Sequence, residues 1–430
     1  MSRGKLLVHS AKQIVQVVNN YAAVLAGEDI NKRLAVLEST DENLSIVIDC
    51  DGLILAVGKD SEIRDKYDNF DFETVIDASG MCVLPGLIDG HTHPVWAGDR
   101  VHEFKMKLAG ASYMEVHQQG GGINFTVNHT RQASEDELYS LFVERLYRML
   151  NAGTTLVECK SGYGLNTETE LKMLKVMERA RKTVPIEISS TFCGAHAIPK
   201  GMTAEEATTN VIEEQLVAVV KEIDAGKLHV DNIDVFCEKG VFSTEQSKRI
   251  LLAGRQKAGL KINFHGDELF PTGSAKMGGE IGADAISHLE EVDTEGINSM
   301  KKAGTVAVIL PTTAYILRLK APPVREMIKN GVPVALGSDF NPNAFCMSMP
   351  LVMHLASVNF HMSLEEALAG ATINAAASLG KSKTHGSIEV GKQGDLLIIS
   401  SPRWEHLIYQ LGGHDHLIKY VIKKGTVVKK

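Results

Sequence analysis

The chain has 430 residues, 44 % of them hydrophobic and 23 % charged, with a mean hydropathy of -0.03, a composition that buries a large core and excludes a disordered chain. Its 45 basic and 53 acidic residues give a formal charge of -8 with no basic cluster, which argues against nucleic acid or anionic membrane as a partner. No apolar run approaches the ~18 residues of a membrane span, and the first twenty residues lack a signal-peptide core, so a cytoplasmic protein is expected.

Residues 1–84 read as β structure. Apolar stretches at 46–48 and 53–57 flank Asp51-Gly52, a hairpin signal because both positions tolerate positive φ. A second hairpin is predicted between 74–76 and 81–84, turning at Ser79-Gly80. The apolar run 83–90 then reads as one strand ending at His91-Thr92-His93. Beyond it strands alternate with helices, the pattern of parallel βα units. Strands are predicted at 154–159, 186–193, 232–237, 261–265, 285–288, 305–310 and 332–337, which with the first makes eight.

Capping-box spacing marks helix starts at Ser134/Glu137, Thr167/Glu170, Thr203/Glu206, Ser243/Gln246 and Ser363/Glu366. After Ser134, Leu138, Leu141, Phe142, Leu146 and Met149 form an apolar stripe at helical spacing. The interval from His93 to Asp339 is close to the ~250 residues of a (β/α)8 barrel. Further strands at 388–390, 394–399 and 420–428 suggest that the two ends of the chain combine. The predicted architecture is an α/β (β/α)8 TIM barrel over 85–386 with a composite β-sandwich of 1–84 plus 387–430. A doubly wound open sheet also alternates strands and helices, but it usually carries a Gly-rich turn after its first strand. Gly120-Gly121-Gly122 follows no strand and lacks a Gly-Lys-Ser/Thr ending, so it reads as a flexible loop or a lid. The six cysteines form no Cys-x-x-Cys pair and read as reduced, mostly buried thiols.

Chemistry gathers at predicted strand ends. His91 and His93, two residues apart, face the same way on a strand and aim both imidazoles into one space. His265 ends the fifth strand and Asp339 follows the eighth. Loops after barrel strands converge on one face, so these four would supply three imidazoles and a carboxylate, a set suited to Zn or Fe with a position left for water. Such a metal lowers the pKa of water from 15.7 to ~7, the chemistry of a hydrolase. Amide hydrolysis also needs a proton shuttle and an oxyanion donor. Glu268, three residues after His265, is the candidate shuttle, and His288, ending the sixth strand, the candidate donor. Taken singly, each could be a surface glutamate or a satisfied core histidine; the barrel sets both beside the metal. Whether Asp339 shares the proton work stays open.

The stretches 85–93, 93–100, 158–164, 265–268 and 337–342 (PGLIDGHTH, HPVWAGDR, ECKSGYG, HGDE and GSDFNP) resemble the imidazolonepropionase family of the amidohydrolase superfamily, and the likeness extends over nearly the whole chain. It implies ring opening of 4-imidazolone-5-propanoate by water to N-formimidoyl-L-glutamate, a step of histidine degradation, in a mononuclear Zn or Fe barrel with a flanking β-sandwich. It also implies metal ligation by His91, His93, His265 and Asp339, and substrate contacts from Arg100, Tyr163, His196, Glu268, His288 and Asn341. A homodimer is common among such relatives. A guanidinium suits the propionate carboxylate, since it binds both oxygens at once, and Tyr163 can donate to the same group. Many bacterial members continue the Asn-Pro after Asp339 with Gly and a hydroxyl residue. This chain has Asn343-Ala344, which argues against side-chain contacts there. No lysine ends the fourth strand, so one metal is expected rather than two. Two other readings compete: a mononuclear amidohydrolase that deaminates a base or ring, and a non-catalytic barrel scaffold. A carboxylate clamp speaks against the first, and a complete ligand set against the second.

Overall fold

The computed structural model describes residues 2–109 and 121–429. Its centre is an eight-stranded parallel sheet in sequential order: β1 (Leu87–Asp89), β2 (Thr154–Lys160), β3 (Glu187–Ala195), β4 (Asn232–Cys237), β5 (Lys261–Gly266), β6 (Ala285–His288), β7 (Val306–Ile309) and β8 (Val334–Leu336). Hydrogen bonds from Gly90 N to Leu336 O (3.1 Å), Asp339 N to His91 O (2.9 Å) and His93 N to Phe340 O (2.8 Å) join the first and last strands, so the sheet closes into the predicted barrel. The strands are buried on both faces because helices cover one and the barrel interior fills the other.

The helices explain that covering. In Glu135–Asn151 the stripe residues Leu138, Phe142, Leu146 and Met149 are fully buried, while Leu141 is only partly covered. Ser134 accepts from Glu137 N at its start, and full capping boxes form at Thr203/Glu206, Ser243/Gln246 and Ser363/Glu366. Thr167/Glu170 is not a capping box. Asn166 caps that helix instead, and the buried Glu170 carboxylate accepts from the amides of Gly162, Gly164 and Leu165, bracing the loop after β2.

Two further sheets flank the barrel. One joins Ile54–Lys59, Leu44–Ile48, Ser2–Ala11 and Phe70–Asp77; the other joins Thr426–Lys429, Ile418–Lys423, Leu396–Ile399, Cys82–Pro85, Gln13–Val17 and Ala35–Glu38, mixing both ends of the chain. Leu6, Ile46, Ile48 and Ile76 of the first pack with Ile14, Val83, Leu396, Ile398 and Ile422 of the second in one apolar cluster, a sandwich core.

Several local expectations are corrected. The run 83–90 is two strands in two sheets. It divides at Gly86, whose amide donates to Asp395 O and where a Cβ would collide with the Thr155 side chain. Cys82–Pro85 pairs with Leu396–Ile399 and Gln13–Val17 rather than with 74–76, and Phe70–Asp77 runs parallel to Ser2–Ala11. Ser79-Gly80 is therefore a crossing between sheets. The 46–57 hairpin forms, with Gly52 alone of its turn pair at positive φ (82°). Residues 388–390 form no strand. Gly120 lies outside the described residues, whereas Gly121 and Gly122 are buried ahead of helix Ile123–Gln132. All six cysteines are free, and Cys50 alone is exposed.

Candidate metal centre and active site

All ten side chains singled out in the sequence lie at or just beyond the C-terminal ends of barrel strands. Nine of them line one cavity: His93, Arg100, Tyr163, His196, His265, Glu268, His288, Asp339 and Asn341. His91 lies directly beneath, fully buried.

His93 Nε2 and His265 Nε2 are 3.1 Å apart, and Asp339 Oδ1 is 3.5 Å from His91 Nε2 and 3.6 Å from His93 Nε2. Two nitrogens at about 2.0–2.1 Å from one ion sit at a separation of this size. His91 Nδ1 hydrogen-bonds Ser287 Oγ (2.8 Å), whose hydroxyl donates to Asn263 Oδ1. That chain puts the proton on Nδ1 and leaves Nε2 with its lone pair. His91 Nε2 is buried and has no hydrogen-bond partner among the described residues. Burial first, and neighbouring cationic groups second, hold His91 and His93 well below the ordinary histidine range, so both are neutral donors. His91, His93 and Asp339 therefore fit a cation, and His265 Nε2 lies beside His93 Nε2.

The proton-handling groups adjoin it. His288 Nε2 is 3.5 Å from Glu268 Oε2, and His288 Nδ1 is 3.7 Å from Glu290 Oε2. Burial alone would lower the His288 pKa, but Glu268 and Glu290 outweigh it and bring it up to about 10. Burial raises the Glu268 pKa to about 7 although the His288 charge opposes it. His288 and Leu289 both take positive φ (78° and 70°), conformations that cost about 1–3 kcal/mol each and are held here by packing, since Leu289 is fully buried.

The remaining predicted residues surround the opening. Arg100 donates through Nε and Nη2 to both oxygens of buried Glu103 (2.8 and 2.7 Å), and Gly122 N donates to the same carboxylate (2.7 Å). One guanidinium edge is thus occupied, and no hydrogen bond from Nη1 is found among the described residues. Tyr163 packs its ring against His93 and His196, at centroid distances of 5.9 and 5.3 Å. His196 Nδ1 donates to Gly162 O (3.1 Å), which turns Nε2 out as an acceptor; burial and then His265 bring its pKa down to about 3. Asn341 spends much of its amide on the turn after β8, donating to Asp339 O and accepting from Asn343 N and Ala344 N. Against expectation, Asn343 also lines the cavity.

Sequence reasoning missed the residues behind these groups. Asp89 Oδ1 and Oδ2 accept from Ser338 N (2.9 Å) and Ser338 Oγ (2.6 Å), tying β1 to β8. Thr313 donates to Asp339 Oδ2. Lys160 Nζ bridges Glu158 (2.6 Å) and Asp234 (2.7 Å), with all three side chains fully buried. Burial would raise the Asp234 pKa, but His265 and Lys160 outweigh it and bring it down to about 2. One signal was available: Glu158 and Lys160 stand two apart just after the apolar Leu156-Val157 of a strand, hence on one face.

The amidohydrolase family model matches residues 82–428. The chain belongs to the amidohydrolase family. Curated amidohydrolase relatives include proteins named "Probable imidazolonepropionase" from Nematostella vectensis (62 % identical, 98 % of each chain), Homo sapiens (60 %, 99 % of this chain and 98 % of the relative) and Dictyostelium discoideum (53 %, again 99 % and 98 %). Among solved amidohydrolase folds, a zinc-bound adenosine deaminase from Xanthomonas campestris superposes with a TM-score of 0.72 at 17 % identity, covering 100 % of this chain and 93 % of its own. A zinc complex of an atrazine chlorohydrolase from Arthrobacter aurescens gives 0.69 at 16 %, covering 99 % and 95 %. At such identities the likeness concerns the fold. No helix among the described residues is long and apolar enough to cross a membrane.

Proposed function

We propose that the protein hydrolyses the ring amide of 4-imidazolone-5-propanoate, giving N-formimidoyl-L-glutamate in histidine degradation. His91, His93, His265 and Asp339 would hold one Zn or Fe ion. When bound, such an ion supplies Lewis-acid activation of water, whose pKa falls from 15.7 to about 7.

The chain's own groups do the rest. Glu268, as a carboxylate, accepts the proton of the attacking water and returns it to the departing ring nitrogen. His288, kept cationic by Glu268 and Glu290, donates a hydrogen bond to the carbonyl oxygen as negative charge develops there. Arg100 offers its guanidinium to the propionate, and Tyr163 donates to the same carboxylate. His196 Nε2 accepts from a ring N–H. The observation carrying this reading is that a proton-transfer pair and a guanidinium line the same cavity as His93, His265 and Asp339, with His91 buried beside them. A neutral base offers no carboxylate for that guanidinium.

The test follows products from the imidazolone and from purine and cytosine bases by mass spectrometry, alongside ammonia release. Formimidoyl-glutamate formation without ammonia is expected; ammonia release from bases with the imidazolone untouched would overturn the assignment.

A further inference from the structure

Beneath the cavity a polar crossbar runs through the barrel interior from β1 to β5. It begins between the two first-strand histidines, where Thr92 N donates to Glu158 Oε2 (3.2 Å) and Thr92 Oγ1 donates to the backbone oxygen of Glu158 (2.5 Å). Lys160 Nζ binds Glu158 Oε1 at 2.6 Å and Asp234 Oδ2 at 2.7 Å. Asp234 Oδ1 in turn lies 2.9 Å from His265 Nδ1 and also accepts from His265 N at 3.1 Å. The proposed mechanism uses none of these three ionisable groups, yet each has a fully buried side chain. Ion pairs this deep are costly to desolvate, and an apolar replacement is often at least as stable. Fold stability alone therefore accounts poorly for the triad.

We infer that Lys160 is a resident cation that positions metal ligands on two distant strands at once. Through Asp234 it keeps a carboxylate facing His265 Nδ1, so that this nitrogen carries the proton and Nε2 presents its lone pair to the ion. Through Glu158 it fixes the backbone of Thr92, and with it the directions of His91 and His93. Lys160 and Asp234 are positioning residues; neither touches substrate. The inference rests on the reading that His265 ligates a metal, and it adds that the ligand's tautomer is set by an ammonium on β2.

The test uses full-length protein and two variants, Asp234→Asn and Lys160→Met. Affinity for Zn is measured by chelator competition, and the His265 tautomer of the metal-free protein by 15N NMR of histidine-labelled samples. Loss of such an outer partner typically lowers metal affinity 10–100-fold, and a fall of that size is expected in Asp234→Asn, together with loss of the single Nδ1–H tautomer. Lys160→Met leaves two carboxylates without their cation, so it can fail to fold; Asp234→Asn keeps the Lys160–Glu158 pair and decides the matter in that event. Wild-type protein that binds no Zn would refute the ligand reading itself. Wild-type binding matched within two-fold by Asp234→Asn, with an unchanged His265 tautomer, would overturn the crossbar alone.

Discussion

At the scale of single residues, function turns on where protons reside. Glu268 and His288 face each other at 3.5 Å, and their environments push both pKa values up for different reasons. Burial disfavours the Glu268 anion, whereas two carboxylates favour the His288 cation. Because Glu268 must be ionised to accept a proton and is brought up to about 7, the base form is lost as pH falls through that value. The pH profile of kcat/KM should therefore show an acid limb near 7, well above an ordinary glutamate at ~4.3. Glu268→Gln should abolish that limb with the activity, lowering kcat by at least ~10²-fold, yet retain stoichiometric metal by elemental analysis, since Glu268 is not among the ligands. Loss of metal in that variant would move Glu268 into the ligand set. Arg100 shows what residue-level sequence reading leaves out. Its place beside the cavity was implied by the family resemblance alone, and nothing in the sequence sets Glu103, three residues on, against it. Only the fold buries that carboxylate against the guanidinium and occupies one edge.

At the scale of elements, the barrel strands were legible because each is a short apolar run bounded by helix-starting signals. The ends that carry chemistry were legible because histidine and aspartate interrupt those runs. Continuous burial hid the division at Gly86: a strand covered on both faces has no period from which to read a break, and only the tertiary contact with Asp395 and Thr155 explains it. The mispaired second hairpin has a similar cause. Ser79-Gly80 is a good local turn, but pairing with Leu396–Ile399, some three hundred residues away, prevails over the local partner. Close approach of β1 and β8 yields a prediction at this scale. A Cβ on Gly337 would stand 2.7 Å from His91 Cβ and 2.9 Å from His91 N, where backbone has no room to yield. Gly337→Ala should cost about 1–3 kcal/mol, read as a lowered denaturant midpoint, with reduced metal content because His91 is displaced. Unchanged stability and full metal loading would show that the seam is looser than its geometry indicates.

At the scale of the whole molecule, sandwich and barrel meet through a partly buried polar contact. Glu187, at the start of β3, accepts from His385, just before the C-terminal segment, and from Gln393 and Lys423 within it, all at 3.1 Å. Burial opposes the Glu187 charge, but His385 and Lys423 outweigh it and hold its carboxyl far below the ordinary range. A depressed carboxyl pKa adds stability above the unfolded-state value of ~4.3, and that increment is lost as pH falls through the folded-state pKa. Glu187→Gln should therefore lower stability by about 1–3 kcal/mol at pH 7, with the gap from wild type narrowing toward acid; a gap independent of pH would assign the effect to packing. The sequence suggested that the chain ends combine, but no local pattern pairs a glutamate with a lysine more than two hundred positions later. The central claim, that imidazoles from β1 and β5 and a carboxylate after β8 enclose one ion, is tested most directly by anomalous diffraction at the Zn and Fe absorption edges. A single peak per chain within bonding distance of His91, His93, His265 and Asp339 is the predicted result. A peak elsewhere, or none in protein prepared without chelators, would contradict it.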